Sequence, residues 1–254
     1  MATFLLLHGA WHGSWCWDLV SARLDDAGHH VVAPDLPGLS PATTHAAGRF
    51  GLGNHIGAVS DALDHTAQRN VILVAHSYAG MLARAIEGIR PDRLAHVCYI
   101  EALLPEPGQA ALDLLPENAR AALIAGHRER PDGPVLLPPD VSRFAVPDAR
   151  LAKMIAGRLL PQPFRTLTDP LPPAPARGVS PVARTYVFAN DRTPNPYQAV
   201  IDRIRADPSW SIVSLSGGHE LMLVSPNEIA DLLLAIAGTA GREQPRSCSN
   251  PKEK

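Results

Sequence analysis

Asn70–Ala75 (NVILVA) carries apolar side chains at consecutive positions, so any strand it forms has an apolar group on both faces. A strand with one wet face alternates; one without alternation belongs in a parallel sheet covered by helices on both sides. Thr3–Leu7 (TFLLL), His30–Ala33, Ala95–Ile100 (AHVCYI), Arg184–Ala189 (RTYVFA) and Trp210–Leu215 (WSIVSL) are further short runs of strand type. Helical stretches separate them: Ser14–Ala27, ended by Gly28; Gly53–Thr66, with Ile56, Val59 and Leu63 on one face; Tyr78–Gly88; and Asn227–Ala237. Strands each followed by a helix or crossover predict an α/β fold, a mostly parallel six-stranded sheet with helices on both faces.

A length of 254 residues suits one domain of this type. The pattern predicts a core from 1–102 and 183–238. Between them 103–182 is proline-rich and only partly helical (Gln109–Gly126 and Asp148–Leu159), too long for a loop, and reads as a cap insertion. The polar tail 239–254 is expected to be disordered. A formal net charge of −2 without a basic stripe argues against nucleic acid as a partner. No apolar run is long enough to span a bilayer, and Met1–Leu7 lacks the features of a signal peptide, so a cytoplasmic protein with no membrane partner is expected. Cys16, Cys98 and Cys248 are too scattered for a disulfide framework or a zinc site. No metal and no cofactor are expected, and a homodimer is allowed.

The strand NVILVA runs into Ala75-His76-Ser77-Tyr78-Ala79-Gly80 and then into a helix. A serine on such a tight turn stands above the sheet edge, where a substrate can reach it. The usual pattern is G-x-S-x-G; both glycines are alanine here, each adding a methyl where strand and helix pass closely. A serine hydroxyl needs a base, and the base an orienting acid. His219 follows the strand WSIVSL in Gly217-Gly218-His219-Glu220, and Asp191 follows RTYVFA in Ala189-Asn190-Asp191-Arg192. Both stand at strand ends, where active residues of open α/β sheets gather. Asp191 is the expected acid and Glu101, after AHVCYI, the alternative. Two backbone N–H groups would stabilise an oxyanion: that of Tyr78, after the serine, and that of Ala10, in the glycine-bearing loop His8–Gly13. Gly9, Trp11, His76, Leu221 and Met222 are the expected substrate-facing residues, with local packing or hydrogen bonding left open for His76. His8 and His12 are expected to hold the shape of the first turn. Trp15 and Trp17 are expected to fill core, and Leu115, Phe144, Leu151 and Phe164 of the cap to close the pocket.

The segments HGAWHGSWCW (His8–Trp17), PDLPG (Pro34–Gly38), AHSYAG (Ala75–Gly80), ALLPEPGQ (Ala102–Gln109) and GGHELMLVSP (Gly217–Pro226) resemble the plant methylesterase and hydroxynitrile lyase family, with the bacterial pyrethroid-hydrolase-like esterases beside it. The resemblance runs to about Ala237. It implies an α/β-hydrolase fold with a small cap insertion, no cofactor, and small, often aromatic, ester substrates. The lyases of that family carry threonine after the first-loop histidine and lysine after the catalytic histidine. Gly9 and Glu220 stand there in this chain, which favours ester hydrolysis. A C–C lyase, hydrolase or cyclase on the same triad, and a non-catalytic ligand-binding protein, are the alternative readings.

Overall fold

In the computed structural model, residues 1–66, 68–173, 182–191, 195 and 197–240 are described. Six strands form one sheet in the order β2-β1-β3-β4-β8-β9: β1 (Thr3–Leu7), β2 (His30–Val32), β3 (Val71–His76), β4 (Leu94–Ile100), β8 (Ala183–Ala189) and β9 (Trp210–Leu215). Every pairing is parallel. The lack of alternation has its expected cause. Leu5, Leu7, Leu73, Ala75, Val97 and Tyr99 enter one buried cluster. Phe4, Leu6, Ile72, Val74, Cys98 and Ile100 enter another on the opposite face.

Helices α1 (Asp18–Asp26) and α9 (Pro226–Ala240) pack against one another, and α2 (Leu52–His65) against α3 (Ala79–Ile89). The first helix begins as a 3-10 turn at Ser14–Trp17, and the last runs two residues beyond the boundary expected at 238. The stretch 241–254 and the cap residues 174–181 lie outside the described residues.

Between β4 and β8 the chain leaves the sheet. It forms α4 (Glu117–Gly126), α5 (Ala149–Ala156), α6 (Arg165–Thr168) and an antiparallel three-stranded sheet of two-residue strands: β5 (His127–Arg128), β6 (Val135–Leu136) and β7 (Gln162–Pro163). After β8, α7 (Gln198–Arg205) leads back to β9, and the short α8 (Leu221–Val224) precedes α9. The chain runs outward from β1 to β2 and then returns across β1 to β3, so the strand order reverses between β1 and β3. The loops leaving β1 and β3 therefore open a crevice at their carboxyl ends, where ligands bind in folds of this type.

Candidate active site

Ser77 follows β3 directly and has a φ of +54°, a strained conformation for a residue with a Cβ. Its main chain is held from three sides: Ser77 N–H donates to Ile100 O (3.1 Å), and its carbonyl accepts from Gly80 N–H (3.1 Å) and Leu103 N–H (3.0 Å). The two alanines of the turn are accommodated, both fully buried. The close approach falls instead at Gly80, where a Cβ would collide with the carbonyl of Leu103.

His219 lies on the loop after β9. Its N–H donates to Phe144 O (2.8 Å), and its carbonyl accepts from His76 Nε2 (3.0 Å). Phe144 and Tyr197 flank the imidazole, with centroids at 6.0 and 5.9 Å and rings within 22° and 10° of parallel. So clamped, His219 places Nε2 2.9 Å from Ser77 Oγ and Nδ1 3.2 Å from Glu101 Oε2. This network assigns the tautomer: Nδ1–H donates to the carboxylate and Nε2 accepts from the hydroxyl.

The expectation for Asp191 is corrected. Its carboxylate accepts from Gly217 N–H (2.8 Å) and its side chain is exposed, so among the described residues it braces the histidine loop from outside. The carboxylate at the imidazole is Glu101, which is fully buried. Its φ of +47° turns the chain at the end of β4, and its Oε1 accepts from Ala189 N–H (2.8 Å). β4 lies between β3 and β8, so a residue at its tip is next to the serine turn, whereas Asp191 comes two residues after β8 has ended.

The loop after β1 closes the other side. Trp11 also has positive φ (+64°), held by Trp11 N–H donating to Gln162 Oε1 (2.9 Å) and Leu160 N–H donating to Trp11 O (2.8 Å). His8 and His12 shape this loop as expected. His8 donates from Nδ1 to Gly9 O (2.9 Å) and accepts Leu36 N–H at Nε2 (3.1 Å); burial lowers its pKa to about 4, so it stays neutral. His12 Nδ1–H donates to Ala10 O (2.8 Å). Ala10 and Tyr78 are buried beside the serine turn, and among the described residues neither main-chain N–H donates to another main-chain group.

Ser77 opens into a cavity of about 100 Å³ lined by Trp11, Tyr78, Leu103, Ala111, Leu112, Leu115, Leu123, Leu167 and Tyr197. Among the described residues no charged side chain lines it. The Tyr78 hydroxyl donates to His55 Nδ1 (3.1 Å), leaving the ring as wall. Of the expected substrate-facing residues, Trp11 lines this cavity. Gly9, Leu221 and Met222 are corrected: all three are buried and none is among its lining residues; His76 is buried too and hydrogen-bonds locally to His219 O, as its alternative reading had it, so its substrate-facing role is corrected. Gly9 is needed for packing, because a Cβ there would meet His76 Nδ1 at 2.8 Å and Ser77 Cβ at 3.0 Å. Leu115 is a wall as expected, whereas Phe144 packs on His219 instead. Trp17 is core, and Trp15 stacks on His12. Glu220 is also fully buried and is not among the residues lining the cavity, so the preference for ester hydrolysis read from this position does not rest on contact with a ligand there. His76, His219 and Glu220 form a grouping tight enough for a metal, one ligand atom each within 4.8 Å of the others, but both ring nitrogens of His219 are engaged by Ser77 and Glu101.

The profile of the alpha/beta hydrolase family matches residues 4–232. The chain belongs to that family. It is 31% identical over 242 residues to a carbendazim hydrolyzing esterase of Nocardioides sp. (strain SG-4G), covering 93% of this chain and 100% of that one. It is 27% identical over 250 residues to methylesterase 7 of Arabidopsis thaliana, covering 92% and 95%. Among solved structures, an extracellular alpha/beta-hydrolase from a Paenibacillus species superposes with a TM-score of 0.77 at 19% identity, covering 93% of this chain and 99% of that one. A pyrethroid hydrolase from Sphingobium faniae JZ-2 superposes at 0.70 with 24% identity, covering 95% and 98%. These two show the fold. Among the described residues no helix is long and apolar enough to cross a membrane.

Proposed function

We propose that this alpha/beta hydrolase cleaves small, neutral, apolar or aromatic carboxylic esters through an acyl-enzyme on Ser77. The observation that carries the reading is the continuous contact Ser77 Oγ–His219 Nε2–Glu101 beside a cavity whose described lining is largely apolar. His219 takes the serine proton as Oγ attacks the ester carbonyl. The N–H groups of Ala10 and Tyr78 are the proposed donors to the oxyanion. Collapse expels the alcohol, which leaves with the proton returned from His219. Water, deprotonated by the same imidazole, then releases the acid and restores Ser77. Glu101 holds the imidazole in its productive tautomer and stabilises the imidazolium. A cytoplasmic setting, the finer part of this reading, agrees with Cys16 and Cys98 being free buried thiols.

The curated relatives direct the first substrates: methyl esters and carbendazim, set beside aryl acetates. Turnover of at least one is expected, with a fluorophosphonate adding one adduct to the parent protein and none to Ser77→Ala. Labelling that survives in Ser77→Ala would remove the nucleophile from the scheme. Failure on every ester, with Ser77 still labelled, would remove the substrate class.

A further inference from the structure

Among the described residues six buried side-chain nitrogen or oxygen atoms lack a hydrogen-bond partner, and four of them belong to three neighbouring side chains: His12 Nε2, His76 Nδ1 and both carboxylate oxygens of Glu220. The proposed hydrolysis uses none of them. A buried ionised carboxylate without compensation is costly, by several kcal/mol. The nearest ionisable atom to the Glu220 carboxylate is His12 Nε2, 3.4 Å from Oε2, followed by His76 Nε2 at 4.0 Å.

Tautomers decide what passes between them. His12 Nδ1 lies 2.8 Å from Ala10 O, and a carbonyl only accepts, so Nδ1 carries hydrogen. In a neutral ring, Nε2 would then face Glu220 Oε2 lone pair to lone pair. One proton between the two atoms removes that conflict, and wherever it resides the pair is neutral overall. The other titratable groups around the carboxylate do not supply it. His76 donates its Nε2 hydrogen to His219 O, and burial holds its pKa well below the usual imidazole range. The Cys16 thiol is pushed well above its ordinary range by burial and by Glu220 itself. His219 is engaged with Ser77 and Glu101.

We propose that Glu220 and His12 form a second carboxylate–imidazole relay, a positioning pair whose target is the main chain of the loop after β1. The proposal rests on the hydrolase reading above. Glu220 fixes the His12 ring, and the ring fixes the carbonyl of Ala10, hence the Ala10–Trp11 peptide that enters the strained Trp11. The loop so held carries one proposed oxyanion donor, and such donors act only within a few tenths of an ångström of their target. Glu220 also adjoins His219 in the chain, so the pair joins the loop of the base to the loop of the oxyanion donor. His76 adds a second tie from the serine turn to the His219 carbonyl.

The test compares Glu220→Gln, Glu220→Leu and His12→Phe in the full chain. A glutamine can donate to the bare Nε2 and leave the bond to Ala10 O intact; leucine cannot. With an aryl acetate, Glu220→Gln should stay within about threefold of the parent, while Glu220→Leu and His12→Phe should lose kcat about tenfold or more at unchanged KM. The rate of fluorophosphonate labelling at Ser77 should follow kcat, and it needs no ester to be the true substrate. A failure of the ester reading and a failure of the relay therefore leave different records. A leucine variant as fast as the parent in labelling overturns the relay, as does a glutamine variant as slow as leucine. Should Glu220→Leu not fold, proton NMR decides. The parent should show a downfield, slowly exchanging proton at the His12–Glu220 bridge that disappears in Glu220→Gln. Its absence from the parent overturns the proposal.

Discussion

At Glu101, exchanging one carboxylate oxygen for an amide separates orientation from packing. Glu101→Gln keeps the shape but can donate to Nδ1, which favours the wrong imidazole tautomer. By analogy with the serine-protease triad, kcat should fall by about 10⁴-fold. Asp191→Asn, at an exposed position braced on Gly217 N–H, should change kcat by less than about tenfold. Steady-state kinetics on one aryl ester decides between them, and the reverse ranking would return the acid to Asp191. The serine and the histidine were legible in the sequence because each sits on a local signature at a strand end. The carboxylate at the imidazole was legible only as one of two candidates, because the choice depends on reach and direction: the positive φ of Glu101 and the neighbours of β4 do not show in a string of letters. One cue was available. A carboxylate placed directly after a strand buried on both faces has no water to face and needs a partner.

The turn from β3 into α3 shows how tightly elements meet around the serine. Strained non-glycine conformations recur here, at Trp11, Ser77 and Glu101, each at the end of a strand or in the loop after it. Because Gly80 touches the Leu103 carbonyl, Gly80→Ala should destabilise the fold by about 1–3 kcal/mol through overpacking. Ala79→Gly, in the first turn of α3, should cost about 1 kcal/mol or less, the propensity difference alone. Urea unfolding of the two variants measures both, and equal costs would mean that the contact at Gly80 relaxes freely. The main-sheet strands were readable because burial on both faces writes itself into consecutive apolar letters. The small cap sheet was not, since strands of two residues carry no period and are held by pairing alone.

Across the whole molecule, buried neutral imidazoles set how the fold responds to acid. Burial lowers His8 and His96 to about 4 and His55 to about 3, against an ordinary 6.5. Each stays neutral in the fold while the unfolded chain takes up a proton below about pH 6.5, so its stability is complete above that pH and is lost on acidification toward its folded value. The loss is about 2 kcal/mol for each of the three between pH 7 and 5. The urea midpoint should therefore drop over that interval, and His55→Gln should flatten the dependence by one proton; a midpoint unchanged from pH 7 to 5 would contradict the buried neutral assignment. The six parallel strands followed from the sequence, whereas the contact between the 103–182 segment and the His219 loop did not. That contact governs modularity. Phe144 accepts the main-chain N–H of His219, and Gly218 lies so close to the Ala145 carbonyl that no side chain would fit between them. The segment that lines the cavity is thus also the scaffold of His219, the proposed proton acceptor. Exchange of the 103–182 segment should therefore cost turnover itself. A chimera with a foreign 103–182 segment should label slowly at Ser77 until residues 141–146 are restored.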